Sequence, residues 1–235
     1  SFAFVAEAAA APFSGGAPPI ALANPLSETF AVMRPSVLPG IVDAVSHNRR
    51  HGRRDVRLFE IATAFAADGE RRSLAAAWTG AAGGDHWSGG RREVDFFDVK
   101  GVVEHLGAAL AVPLDLALVE PDYLVAGRAA GVFAGTRQVG VCGLLSPAIA
   151  DARGIPRADD VYVLEVNLDA IAATAPPGAT RVVPLPRFPA VVRDVAFTVD
   201  PSLSAETLRD TIRQARVSDH LVDITLFDRF DPKHA

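Results

Sequence analysis

Cysteine is almost missing from this chain: Cys142 is the only one in 235 residues. One thiol excludes an internal disulfide, and a reducing cytosol is the simplest compartment for it. An excess of basic charge is missing too. The formal net charge is −5, which argues against a general nucleic-acid binder and leaves any RNA contact to a local patch or a partner chain. Long apolar runs are absent. Residues 1–11 are Ala-rich, but they stop at Pro12, carry no basic leader and are too short to span a bilayer, so no membrane segment is expected. No Gly-rich phosphate loop of the P-loop or dinucleotide type occurs, and no nucleophile stands in an evident arrangement with a base.

What is present is globular material. Hydrophobic residues make up 49% and charged residues 22%, enough for a substantial core in one large domain or two smaller ones. Both ends are expected to be cuts in a longer chain. There is no initiator Met, strand-like Phe2, Phe4 and Val5 begin at once, and Lys233-His234-Ala235 follow a strand-like stretch with no closing element.

Periodicity predicts the elements. Val37, Leu38, Ile41, Val42 and Val45 recur at helical spacing. Pro39 fits only a first turn, so this helix starts near Ser36 and stops at Gly52, with Arg49, Arg50, His51, Arg53 and Arg54 gathered at its C-terminal end. Val56 to Phe65 is apolar on both faces, as in a central strand, and Ser73 to Thr79 is its neighbour. A Gly-rich loop from Gly80 to Gly90 carries His86 and Trp87. A second helix spans Asp98 to Leu110, with Val99, Val102, Val103, Leu106 and Leu110 on one face and Asp95 or Asp98 as cap. Leu114, Leu116 and Leu118 mark a strand. Ala129 to Ala134 and Gln138 to Leu145 form a hairpin about Gly135-Thr136-Arg137. Ser146 to Arg153 is a short helix, and Val161 to Leu168 a strand with Glu165 and Asn167 on one side. The fold class is α+β with an antiparallel sheet. Five prolines between Ala175 and Pro189 mark a boundary: a domain over 1–175, a linker over 176–190, and a smaller domain over 191–235. The last part reads as strand (Val191 to Val199), helix from an N-cap at Ser204 (Leu208, Ile212 and Ala215 inward) and strand (Leu221 to Phe230), half of a ferredoxin-like unit.

Each polar cluster has a functional and a structural reading. His47 and His51 have zinc spacing, but lack the intervening glutamate and a third ligand, so a basic helix end is favoured over a metal site. Asp95 and Asp98 are a possible acid–base pair; capping is favoured. Arg57 and Glu60, three apart on a strand, face opposite sides and grip no common ligand; Glu60 is read as a buried, hydrogen-bonded carboxylate or a loop anchor. Trp87 is read as packing before base stacking. The basic run Arg49 to Arg54 suits phosphate, a solvated helix end or a contact with another chain. No catalytic, metal-binding or cofactor-binding residue is assigned.

Several phrases, in order, resemble one family. Asn24-Pro25-Leu26-Ser27-Glu28, Val32-Met33-Arg34-Pro35-Ser36-Val37-Leu38-Pro39-Gly40, Asn48-Arg49-Arg50 and Leu58-Phe59-Glu60-Ile61 are similar to the bacterial phenylalanyl-tRNA synthetase β subunit. So are Asp95-Phe96-Phe97-Asp98-Val99-Lys100-Gly101, Arg187-Phe188-Pro189, Val192-Arg193-Asp194-Val195 and Leu226-Phe227-Asp228. The resemblance implies an inactive class II synthetase-like domain over residues 1 to about 175, followed by part of a ferredoxin-fold anticodon-binding domain. It implies assembly with a catalytic α subunit as a heterotetramer, contact with tRNA(Phe), a cytoplasmic location, and ATP and Mg used by the whole enzyme, not by this segment. The helix from Ser36 to His51 corresponds to the class II dimer-interface helix, so Arg34, Val37, Leu38, Ile41 and Asn48 are candidate interface residues. Arg187 and Arg193 are candidate tRNA contacts, with a structural Arg193–Asp194 corner as the alternative.

The resemblance also implies why the domain is inactive. A class II ATP site takes an arginine with a glutamate two residues later; after Arg57 that place holds Phe59. The second arginine motif has only Gly127-Arg128-Ala129 as a counterpart. The family's His-Pro-Gly-Arg and Gly-Glu-Leu-His-Pro phrases are replaced here by Leu124-Val125-Ala126-Gly127-Arg128 and Gly143-Leu144-Leu145-Ser146-Pro147. Two other classes of function stay open: a stand-alone tRNA- or RNA-binding module, and an independent enzyme using Asp95, Asp98 or Glu60.

Overall fold

A computed structural model describes residues 1–84, 87, 90–175, 187–200, 202–215, 218 and 220–229. The chain divides into two compact units, Ser1–Ala179 and Thr180–Ala235.

The first unit is built on a six-stranded antiparallel sheet. β1 (Phe4–Val5) and β2 (Val32–Met33) form a separate small pair, with the short helix α1 (Glu7–Ala10) between them. α2 (Leu38–Arg50) follows, then β3 (Val56–Ala66) and β4 (Gly69–Thr79) as a hairpin about Ala67-Asp68. α3 (Phe96–Leu110) carries the chain across the sheet to β5 (Asp115–Leu118) at the far edge. β6 (Leu124–Ala134) and β7 (Arg137–Leu145) form the second long hairpin, whose turn takes Gly135 at φ +61°. α4 (Pro147–Ala152) leads into β8 (Val161–Asn167), which inserts between β4 and β7; α5 (Leu168–Thr174) closes the unit. The sheet order is β3-β4-β8-β7-β6-β5.

Each face of the sheet is covered by helix. On one, Leu38, Ile41, Val42 and Val45 of α2 pack on Val56, Ala75, Ala77, Val161 and Val163. Ala75 and Ala77 present little bulk there, which lets the helix lie close. On the other, Val99 and Val103 of α3 and Ile171 of α5 meet Val132, Cys142, Tyr162, Leu164 and Val166. Burial pushes the Cys142 thiol up to about 12, so it is an inert core side chain.

Three expectations change. β3 is an edge strand, not a central one: its second apolar face is open, with Phe59 74% and Ile61 52% exposed. β8 is the strand with both faces covered. On α3, Val99 and Val103 are buried, whereas Val102 and Leu110 lie at the exposed margin. The helix α5 had no sequence expectation; its seven residues are too few to display a period.

In the second unit, α6 (Ala205–Gln214) begins at Ser204, whose hydroxyl accepts the Thr207 N–H at 3.0 Å. Leu208 and Ile212 are half-buried, and Ala215 is exposed rather than inward. Val191–Val199 and Leu221–Arg229 do not form the expected strands. A strand exists only by pairing, and neither stretch has a ladder partner among the described residues. The Pro-rich residues 176–186, His86, Phe230 and the Lys233-His234-Ala235 end lie outside the described residues.

Candidate functional site

The start of α2 and the strands β4, β7 and β8 border an open cavity of about 310 Å³, lined by Phe13, Ser36, Arg71, Tyr123, Gln138 and Glu165 among others. Glu165 stands on the central strand opposite Ala75 and Val141, so the pleat aims it at α2. The first N–H groups of a helix have no partner within it, and Val37 brings no capping side chain. Glu165 substitutes from across the sheet. Its Oε1 accepts the Val37 N–H at 2.9 Å, its Oε2 accepts the Ser36 hydroxyl, and Ser36 Oγ accepts the Leu38 N–H at 3.0 Å. Burial pushes the Glu165 carboxyl up, against the pull of the Ser36 and Val37 hydrogen bonds and the Arg71 charge. Burial first, then the Glu165 charge, pushes the Tyr123 phenol up as well.

This cavity is unsuited to polyphosphate chemistry. Such a site gathers positive charge where phosphate charge develops. Among the described residues Arg71 is the one cationic lining residue, and Glu165 opposes it. Arg71 already donates to the Pro35 carbonyl at 2.6 Å. Arg128 is not in the lining; it reaches Asp160 at 3.7 Å.

The other sequence candidates are engaged in local structure. Arg57 and Glu60 point to opposite faces, as the pleat requires. The Arg57 guanidinium lies 3.8 Å over the Trp78 ring and donates to Ala82 O at 2.8 Å. Glu60 Oε1 receives Arg34 Nη1 at 3.1 Å. Asp95 and Asp98 are a reciprocal capping box for α3: Asp95 accepts the Phe97 and Asp98 N–H groups, and Asp98 accepts the Asp95 N–H at 2.9 Å. The Arg92 guanidinium, hydrogen-bonded to Asp98, holds that carboxyl below the usual range. Both carboxylates are therefore engaged with backbone and not poised for proton transfer. His51 Nδ1 lies 2.8 Å from His47 O, and no group of three His, Cys, Asp or Glu among the described residues is placed to hold a metal.

The candidate interface residues lie mostly inside the first unit. Val37 and Leu38 are fully buried, and Ile41 and Arg34 nearly so. Such side chains hold α2 and β3 to their own domain. Arg34 links Glu60 to the Thr63 carbonyl, and Asn48 donates to Ala44 O within the helix at 2.8 Å. What faces outward is Asp43, His47 and Arg50 on α2, and Phe59 and Ile61 on the open side of β3. Sequence reasoning missed that pair because exposed apolar residues on an edge strand look the same as core. Arg187 and Arg193 are exposed, and no ion pair joins Arg193 to Asp194.

Comparison with known proteins agrees with the α+β fold. The pattern of the family described as phenylalanyl tRNA synthetase beta chain CLM domain matches residues 1–168, and that of the ferredoxin-fold anticodon binding domain matches residues 186–235. The phenylalanine–tRNA ligase beta subunit of Staphylococcus aureus (strain Mu50 / ATCC 700699) is 34% identical over 221 residues, 92% of this chain and 27% of that protein. That of Staphylococcus epidermidis (strain ATCC 12228 / FDA PCI 1200) is 33% identical over 223 residues, with the same shares. The chain thus spans about a quarter of the length of these curated relatives. Among solved structures, PylSc, a pyrrolysyl tRNA synthetase of Desulfitobacterium hafniense, gives a TM-score of 0.52 at 16% identity over 73% of this chain and 59% of that one. A crystal structure of pyrrolysyl-tRNA synthetase from the same organism gives 0.54 at 14%, over 73% and 60%. At these identities the likeness concerns architecture: an α+β fold of the class II synthetase kind.

Proposed function

The chain belongs to the phenylalanyl-tRNA synthetase β-chain family, and from that premise we propose that it is a non-catalytic, assembly-forming and tRNA-contacting part of a phenylalanine–tRNA ligase. The enzyme would attach phenylalanine to tRNA(Phe) at the expense of ATP, with Mg, in the cytoplasm, as two α and two β chains, and the chemistry would reside in the α subunit. The observation that carries the reading is the Glu165 cavity. A buried carboxylate that clamps Ser36 and Val37 occupies the sheet face, with one arginine where polyphosphate calls for several. The domain is thereby a scaffold. Its exposed Phe59 and Ile61, on an open edge strand, suit burial against another protein, and the α subunit is the partner we assign to them. Arg187 and Arg193 of the second unit are the assigned tRNA contacts. No helix among the described residues is long and apolar enough to cross a membrane. The tandem of two synthetase-associated family matches disfavours a free-standing RNA-binding module.

The test is ATP–pyrophosphate exchange and copurification with the full-length β chain. The β chain alone is expected to give no exchange, and addition of the α chain to restore it. Phe59→Asp is expected to weaken copurification with α about tenfold or more without moving the melting midpoint. Exchange by the β chain alone overturns the non-catalytic reading.

A further inference from the structure

The chain is acidic as a whole, but its charge is segregated. Residues 47–57 contain five arginines and one aspartate, a formal +4 in a chain of −5. Two of these charges are accounted for locally. Arg49 pairs with Asp159 and donates to Arg53 O at 3.0 Å. Arg57 is stacked on Trp78. Arg50, Arg53 and Arg54 are different: all three are exposed, and none makes a side-chain hydrogen bond or ion pair with another described residue.

Their backbone is held firmly. α2 ends at Arg50, and Gly52 turns the chain at φ +81°, in the left-handed region. Gly52 N–H donates to Arg49 O at 3.0 Å and Arg53 N–H to Asn48 O at 3.0 Å. The Arg49 side chain closes the turn on Arg53 O. On the far side Asp55 accepts Ala81 N–H at 2.9 Å and Arg91 at 2.7 Å, which pins the base of the next loop beside the turn. Three free guanidinium groups are thus mounted on a fixed corner between a helix and a sheet strand.

Helix-dipole compensation accounts at most for Arg50, not for Arg53 or Arg54. That effect falls off within the last turn, and His47, Arg49 and Arg50 already occupy it; Arg53 and Arg54 lie beyond the helix. A protein-docking surface fits poorly as well. Although arginine itself is common at protein interfaces, their centres are built on apolar anchors, and no apolar residue occurs between His47 and Asp55. A planar guanidinium fork matches phosphate geometry in bidentate fashion.

We propose that Arg50, Arg53 and Arg54 form an RNA-backbone binding corner on the first unit, a tRNA contact separate from the anticodon-binding unit. The proposal rests on the proposed function, in which tRNA is the partner. The corner adds affinity and orientation without reading sequence, as backbone contacts do.

The test uses the full-length β chain assembled with its α chain, carrying Arg50→Gln, Arg53→Gln and Arg54→Gln together. Binding of a whole tRNA transcript and of an isolated anticodon stem-loop is titrated against salt. Each phosphate contact contributes roughly 0.7–0.9 to the slope of log affinity against log salt. The triple variant is expected to bind whole tRNA about tenfold more weakly near 0.1 M salt, with a slope shallower by about two, and to bind the stem-loop unchanged. Arg→Lys at the three positions is expected to keep most of the slope. If tRNA affinity and slope are unchanged while the stem-loop still binds, the corner proposal falls and the proposed function stands. If the wild-type complex binds neither RNA, both fall. If the variant loses the α chain instead, the corner is a protein interface and the proposal is overturned.

Discussion

The two units use the same kind of helix and obtain different results from it. α2 and α6 are both amphipathic; α6 is started by its own Ser204, α2 by Ser36 and by Glu165 from across the sheet. On α2, Leu38, Ile41, Val42 and Val45 vanish beneath a sheet. On α6, no residue is buried; Leu208 and Ile212 are half-covered, while Val192 is 82%, Val222 90% and Phe227 73% exposed in the stretches around it. A helix closes its hydrogen bonds within itself, so capping and periodicity suffice to form one. A strand needs a neighbour. The first unit supplies neighbours in two long hairpins and slots β8 between them; the described residues of the second unit supply none.

The largest test of this contrast is a matched pair of truncations. Leu38→Ala removes a fully buried side chain from the α2 core, and the expected loss is about 2–5 kcal/mol. Leu208→Ala removes a half-covered one from α6, and the expected loss is within about 0.5 kcal/mol. Urea unfolding of both variants measures the difference. Equal losses would show that α6 has a core of its own and would break the contrast.

The same contrast explains what is legible in the sequence. α2 and α3 are readable because Val42, Val45, Val99 and Val103 repeat at the helical period. The β6–β7 hairpin is readable because Gly135-Thr136 punctuates it. The capping of α3 by Asp95 is a local signal and reads as one. The edge position of β3 is not readable, because Phe59 and Ile61 have the same composition whether a neighbour covers them or not. The role of Glu165 is also hidden. Its partners Ser36 and Val37 are 129 and 128 residues away in sequence, and only the insertion of β8 between β4 and β7 brings them together. Arg34, Val37, Leu38 and Ile41 stand out in the sequence for a sound reason: all four are buried in the first unit. Their pattern marks burial, and the sequence alone does not separate a core face from a face buried against a partner.

Glu165 supplies the second test, because it is a long-range clamp with no counterpart in the described part of the second unit. Its folded-state pKa is raised above the unfolded value of 4.5. The folded state therefore holds the proton more tightly than the unfolded state. The stability this contributes is full below about pH 4.5 and is lost as pH rises through the raised folded pKa. Other carboxylates, such as Asp98, are held low and act in the opposite sense, so the wild-type curve alone is a mixture. Glu165→Gln keeps an acceptor for the Val37 N–H and removes the ionisation. The difference between wild type and variant is expected to shift in favour of Glu165→Gln as pH rises above 4.5. Denaturation midpoints from about pH 4 to 8 measure it, and a difference that is flat with pH would sink the clamp argument.

The smallest expected effect compares one cap from each unit. Asp95 and Ser204 each accept a backbone N–H at a helix start, and loss of such a cap typically destabilises a helix by about 1 kcal/mol. For Asp95→Ala that loss is expected to appear in global unfolding, because α3 is packed on the sheet through Val99 and Val103. For Ser204→Ala the loss is expected to stay local. Amide exchange should accelerate over Ala205–Gln214 while global stability moves by less than about 0.5 kcal/mol, because a helix without buried side chains passes little of its stability to the rest of the chain. A global shift as large as that of Asp95→Ala would mean that α6 is coupled to a core after all.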